Sequence, residues 1–307
     1  MAPCTRSRAA GSPSVWSCSR LTPLLALSAA FGFGVAGIFL KRALQYVDPL
    51  PAAVLSVTFT TAVVWTVTLS TTSLDGLLTP RILPFVVAGV IAPGLARLAL
   101  FTGIDRVGVA RTYAIGATAP LVSVVLAILF LGERPSWLLL IGAGAIVVGG
   151  TLLSARPPGD RSWRRRDLVF AGLAAFGFAV RDNVTRYGFL DFTDPVLAAA
   201  VSTATSVTLM WTYALIAARR ELRVDRLGLK LLMCAGVAEG FAYVTMWRAL
   251  ARGSVAVVSP LTNSHSIFAV VLAAVFLRDL ERVTWRIGVA TVLMVAGVMI
   301  VLRFGAR

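Results

Sequence analysis

ARPPGDRSWRRRD, residues 155–167, decides how the rest of the chain is read. Two prolines, a glycine and five arginines cannot continue an apolar helix. Proline removes a backbone donor, and each arginine resists leaving water. On either side the sequence is almost unbrokenly apolar. A helix needs about 20 apolar residues to cross a hydrocarbon layer about 30 Å thick. Five such stretches precede the interval, at 21–40, 50–69, 82–103, 112–131 and 137–154, and five follow it, at 168–190, 195–217, 228–250, 255–277 and 285–303. The predicted organisation is a disordered tail over 1–20, a first unit over 21–154, a polar linker over 155–167 and a second unit over 168–303.

Composition points the same way. The chain is 58% hydrophobic and only 14% charged, with a mean hydropathy of +0.84. A soluble domain carries about 25% charged residues, so this chain lacks the polar groups to cover a water-facing surface. The predicted fold is an all-α integral membrane protein with ten transmembrane helices. The net charge of +15 does not argue for nucleic acid, because the basic residues stand in short clusters between apolar runs, as at Arg164, Arg165 and Arg166. Such clusters orient helices and meet anionic lipid. Their distribution leaves the orientation open: loops opposite the termini are richer in arginine, whereas Arg6, Arg8 and Arg20 against Lys41 and Arg42 favour the reverse. Cys4, Cys18 and Cys234 form no CxxC pair, a single histidine excludes a two-histidine metal site, and no GxxxxGK[ST] loop is present. No cofactor is predicted.

The two units resemble each other at a spacing near 146. AAFGF stands at 29–33 and again at 174–178. Asp48-Pro49 recurs as Asp194-Pro195, Ser56 as Ser202, Trp65-Thr66 as Trp211-Thr212, and Phe130-Leu131 as Phe276-Leu277. Five is odd, so the second copy enters the membrane facing the opposite way. Inverted repeats supply the two nearly equivalent conformations that alternating access requires, with a substrate site between them near the membrane midplane.

Pro120 opens the run PLVSVVLAILFLGE, which ends at Gly132-Glu133. With ten helices and a duplication, this stretch resembles the fourth helix of the EamA type in the drug/metabolite transporter superfamily. Its copy is degenerate, with Ser266 for the proline, Arg278 for the glycine and Glu281 two residues late. The resemblance covers about 21–303 and implies two inverted five-helix EamA-like repeats. It also implies transport of a metabolite, without naming the cargo. Four-helix multidrug relatives use a glutamate in helix 1; here 21–40 contains no acidic residue, so their proton-for-cation mechanism does not carry over.

Ionisable residues inside a membrane are expensive, and normally face the bundle interior with a partner. The candidates are Arg97, Arg181, Asp182, Glu239 and His265, with Asn263 nearby. Asp182 and Arg186, at i and i+4, are expected to pair on one helix face, which leaves Arg181 for the site. Tyr243 and Trp247 follow Glu239 at i+4 and i+8. Arg97 aligns with Tyr243 at the repeat spacing, so Arg97 and Glu239 are expected to face each other across a central cavity. A zwitterion there sets its carboxylate on Arg97 and its ammonium on Glu239. Tyr243 and Trp247 wall it, and His265 and Asn263 add hydrogen bonds. The alternative is that Arg97 and Glu239 bridge each other and never meet substrate. Ala171, Ala175 and Ala179, like Gly32 and Ala36, read as close-packing ridges, and Trp65 and Trp211 as interfacial anchors.

The function expected is alternating-access transport or export of a small amino-acid-like or other polar or zwitterionic metabolite across the cell membrane, with proton coupling or substrate counter-exchange. Membrane lipid and the small-molecule substrate are the expected partners, and nucleic acid is not. The other classes considered are an intramembrane enzyme acting on a lipid-linked substrate and a non-transporting scaffold.

Overall fold

The computed structural model describes residues 21–154, 164–217, 224–276 and 285–304. The expected tail and most of the expected linker, with Pro157 and Pro158, lie outside the described residues. Thirteen α-helices and no strand occur among those described. In the first unit they are α1 (Leu21–Ala43), α2 (Pro49–Thr71), α3 (Leu83–Gly89), α4 (Ala96–Val107), α5 (Val109–Gly116), α6 (Ala119–Phe130) and α7 (Trp137–Ser154). In the second they are α8 (Leu168–Gly188), α9 (Pro195–Thr212), α10 (Arg226–Arg252), α11 (Val255–Asn263), α12 (His265–Phe276) and α13 (Trp285–Phe304). Among the described residues seven segments are long and apolar enough to cross a membrane, and Trp137–Leu152 and Gly288–Phe304 are shorter apolar helices. Counting α11 and α12, which follow one another across Ser264, as one interrupted span, they make the ten expected traverses.

Local chemistry sets where the helices start. The repeated Asp-Pro is a helix start in both units, since proline fixes φ and lacks only an N–H that the first turn leaves unpaired. Pro49 opens α2 and Pro195 opens α9; Asp194 also accepts from the N–H groups of Val196 (2.9 Å) and Leu197 (3.0 Å).

Three expected continuous spans are interrupted. The third breaks between α3 and α4 at a π-helical turn, Val90–Leu95, where Ala92 is extended ahead of Pro93. Pro93 has no N–H to give the carbonyl of Gly89 four residues back, and Ser206 on α9 donates to that carbonyl instead, at 2.7 Å. The fourth breaks at Ala117 and Thr118, placing Pro120 in the first turn of α6 rather than inside a helix. The ninth breaks at Ser264, at the matching position of the second unit. Apolar composition continues across the first two breaks, and the third falls in the short polar run 262–266 between two apolar stretches, so hydropathy averaged over a span's length reads all three as unbroken.

Packing repeats with the units exchanged. α1 lies along α10 as α8 lies along α3 and α4, and α1 meets α11 and α12 as α8 meets α5 and α6. The pairs α2–α9 and α7–α13 map onto themselves. This exchange, with five traverses per unit, is the inverted two-repeat architecture. The ridge of Ala171, Ala175 and Ala179 is buried, as are Gly32 and Ala36 on α1. Trp211 is half-buried and donates from Nε1 to Thr58 Oγ1 on α2 at 3.0 Å, so it ties α9 to α2.

Candidate functional site

α4, α8 and α10 bring four charged side chains to the junction between the repeats, and α2 brings hydroxyls to meet them. Arg97, Glu239, Arg181 and Asp182 are each less than a tenth exposed. A close approach of α10 to α2 makes the first contact possible. A Cβ on Gly236 would stand 2.3 Å from Phe59 Cβ and 3.1 Å from the Thr60 nitrogen, so only glycine allows this separation. One turn later Glu239 reaches both α2 and α4. Arg97 grips it bidentately, Nη1 to Oε1 at 2.5 Å and Nη2 to Oε2 at 2.9 Å. From α2, Thr60 donates to Oε2 at 3.2 Å, and Ser56 Oγ accepts from Arg97 Nη2 at 3.0 Å.

Arg97 and Glu239 therefore do not stand apart across an open cavity; they bridge each other directly. The fork geometry matches a carboxylate, so the Glu239 carboxylate occupies the place that any other carboxylate on Arg97 would take. Sequence reading picked out Ser56 only as a repeat and missed Thr60. A usable signal existed: hydroxyls at 56 and 60 recur at 202 and 206, one helical turn apart on one face.

A second pair lies on α8. Arg181 donates from Nε (3.1 Å) and Nη2 (2.7 Å) to Asp182 Oδ1. A guanidinium on Asp182 thus comes from its neighbour Arg181, where the sequence spacing suggested Arg186 one turn on; Arg186 also reaches across to donate to the carbonyls of Leu250 (2.9 Å) and Ala251 (3.3 Å), near the end of α10. A long arginine side chain can fold back along the helix, and sequence spacing does not record that. Tyr243 joins the two pairs. Its hydroxyl accepts from Arg181 Nη1 at 3.3 Å, and it lies one turn beyond Glu239 on α10.

The remaining expected site residues divide. Phe33 meets the Tyr243 ring edge-on at 5.8 Å and the His265 ring at 6.3 Å, so His265 borders the cluster through Phe33. His265 Nδ1 donates to the Thr262 carbonyl at 3.3 Å. Asn263 donates to the Ser259 carbonyl of its own helix, and no described contact brings it to the charged pairs. Trp247 packs away from them, fully buried among Phe85 and Phe189 at 5.8 and 6.0 Å between ring centres. Two turns of helix beyond Glu239 advance the chain about 12 Å, which carries Trp247 out of the cluster and into the aromatic core.

An open groove of about 770 Å³ lies to one side, lined by Leu95, Leu98, Thr205, Thr208, Tyr213 and Ile216. Thr205 and Thr208 donate to carbonyls of their own helix, so the groove is apolar. None of the charged pairs lines it.

A model of the EamA-like transporter family matches residues 20–155 and again residues 166–303. The chain belongs to the EamA-like transporter family. A solved structure titled only "Crystal structure of protein" shares the fold, with a TM-score of 0.76 and 18% identity over 91% of this chain and 95% of that one. Among curated proteins no match is found. In this EamA-like transporter the stretch ending at Gly132-Glu133 links the repeats. Gly132 takes φ +65°, a left-handed turn that glycine adopts without a steric penalty. That turn presents the Glu133 carboxylate to the start of α11, where it accepts from the N–H groups of Val255 (2.7 Å) and Ala256 (2.9 Å). An acid at a helix N-terminus satisfies orphan donors and favours the helix dipole. Sequence reading recorded Glu133 as a signature and gave it no partner.

Proposed function

We propose that this chain is a secondary transporter of a small amino-acid-like metabolite, working by alternating access in the cell membrane. The observation that carries the reading is the buried, bidentate Arg97–Glu239 pair where helices of the two repeats meet. A buried ion pair adds little stability over well-packed apolar residues, so an intramembrane pair is by default a functional one. A zwitterion entering between the two exchanges one ion pair for two. Its carboxylate takes the Arg97 fork, and Glu239, released from Arg97, meets its ammonium. Net charge in the buried site stays the same throughout, so no uncompensated charge crosses the membrane interior. Tyr243 stands beside the exchange, with Arg181 behind it. Family membership favours transport over an intramembrane enzyme or a scaffold.

Ligand-induced stabilisation tests this. Purified protein is heated with each member of an amino-acid panel, and with the methyl ester and N-acetyl form of each. A ligand that binds only the folded state raises the unfolding midpoint. The expected result is stabilisation by one or a few free amino acids, weakened by blocking either charged end and absent in Arg97→Gln. A panel in which no free amino acid stabilises, or in which both blocked forms stabilise equally, overturns the zwitterion reading.

A further inference from the structure

Equivalent helix faces in the two repeats are not covered alike. At the spacing of 146, Thr205, Thr208, Leu209 and Thr212 on α9 correspond to Phe59, Ala62, Val63 and Thr66 on α2. On α2 that face lies under α10, which runs past it unbroken; a Cβ on Gly240 would stand 2.7 Å from Val63 Cβ. The helix equivalent to α10 is the third traverse, and it turns off. Pro93 stands where α10 carries Glu239. Up to that turn, α3 and the π-helical residues pack along α9; beyond it, α4 runs against α2, α5 and α8. The parting leaves the open groove of about 770 Å³, with Leu95 and Leu98 on one wall and Thr205, Thr208, Tyr213 and Ile216 on the other.

The groove suits a hydrocarbon chain. From Thr205 to Ile216 α9 rises about 17 Å, close to half of a hydrocarbon core about 30 Å thick, so the groove spans one leaflet. Over that length a helix about 10 Å across takes up about 1,300 Å³, well above the groove's 770 Å³, whereas an extended acyl chain is slimmer. Thr205, Thr208 and Thr212 spend their hydroxyl protons on carbonyls of their own helix, so the lining asks for no polar partner. Alternate crossing sets the end of α9 on the same membrane surface as the end of α1 and the starts of α2 and α10. There exposed Lys41, Arg42, Arg226 and Lys230 outnumber exposed Asp48 and Asp225. Tyr213, exposed toward that end of the groove, has the amphipathic ring that favours headgroup depth.

We propose that the groove between α4 and α9 holds one acyl chain of an anionic phospholipid from the leaflet on this side, covering α9 as α10 covers α2. The tail lies on apolar side chains and the headgroup meets the basic helix ends. The lipid takes the place α4 would fill if the third traverse lay down on α9 as α10 does on α2. It therefore favours the parted arrangement, because a ligand shifts a protein toward the arrangement it binds better.

Photolabelling tests this without any transport substrate. Phosphatidylglycerol or phosphatidylcholine with a diazirine in one tail is irradiated with the protein in phosphatidylcholine vesicles, and labelled positions are mapped by mass spectrometry. Val292 and Met299, exposed on α13, give the level of bulk lipid contact. Leu95, Leu98 and Ile216 should exceed that level with phosphatidylglycerol. They should prefer it over phosphatidylcholine by about fivefold or more, the preference that one Lys or Arg near an anionic surface supplies. Unlabelled phosphatidylglycerol should compete the signal away, and the double variant Ala204→Leu/Thr208→Phe, which fills the groove from the α9 wall, should abolish it. The competition needs no variant, so it decides the matter should the double variant misfold. Groove labelling no stronger than at α13, equal labelling by the two lipids, or cross-links there between two copies of the chain would each overturn the proposal. Amino-acid counterflow is read separately, so failure of either claim leaves the other standing.

Discussion

Removing one partner of the Arg97–Glu239 pair should harm the fold far more than removing both. In Glu239→Gln, Arg97 keeps its charge at 6% exposure and faces a single amide oxygen in place of two carboxylate oxygens at 2.5 and 2.9 Å. Each charge-assisted hydrogen bond is worth about 1.5–3 kcal/mol, and stranding one member of a buried pair costs about 3–5 kcal/mol. Arg97→Gln strands Glu239, whose remaining described support is Thr60 at 3.2 Å, and should cost a similar amount. The double variant carries no charge, and its amides can still meet Ser56 and Thr60, so its loss should be about 1–2 kcal/mol. The cycle is read by unfolding in mixed micelles, followed by tryptophan fluorescence. A double variant whose loss equals the sum of the singles would show that the two side chains do not interact, and the site as described would be wrong.

Three further expectations rest on single contacts. Gly236→Val drives a side chain into Phe59 and the Thr60 backbone and should cost about 3 kcal/mol or more, whereas Gly172→Ala, with open space around it, should be neutral or mildly stabilising; equal thermal midpoints for the two would refute the close α2–α10 approach. Glu133→Ala removes both acceptors at the start of α11 and should cost about 1–2 kcal/mol, seen as faster amide hydrogen exchange at Val255 and Ala256; unchanged protection there would contradict the link. Trp247→Phe keeps the aromatic packing and loses an indole N–H that has no partner, so stability should change by about 1 kcal/mol or less while Trp247→Ala loses about 3–5 kcal/mol. A Trp247→Phe protein of normal stability but weakened ligand response would place Trp247 on the substrate path instead of in the core.

Much of the architecture is legible before any coordinates, because membrane crossing constrains length and polarity so tightly. The ten apolar stretches, the odd repeat and the recurring Asp-Pro pair all follow from composition and spacing. Arg97 and Glu239 stand out for the same reason: a charge in an apolar helix is rare enough to need a partner. What composition does not carry is direction. Arg181 folds back onto Asp182, Trp247 advances into the aromatic core, and Pro120 begins a helix that hydropathy reads as already under way. Glu133 looks like a loop residue until the turn at Gly132 shows that it reaches α11. Ser56 and Thr60 were visible as a repeated pair of hydroxyls, but their service to a charge on another helix is a tertiary fact.

The central claim is that a metabolite bearing both a carboxylate and an ammonium group crosses the membrane through the Arg97–Glu239 site. Counterflow of labelled amino acids into proteoliposomes, for wild type beside Arg97→Gln and Glu239→Gln variants that reconstitute at equal density, tests it most directly. The account predicts accumulation of at least one amino acid by wild type, reduced about tenfold or more in each variant, in line with the roughly 1.4 kcal/mol that a tenfold change represents. Undiminished counterflow of the same amino acid in both variants would contradict it.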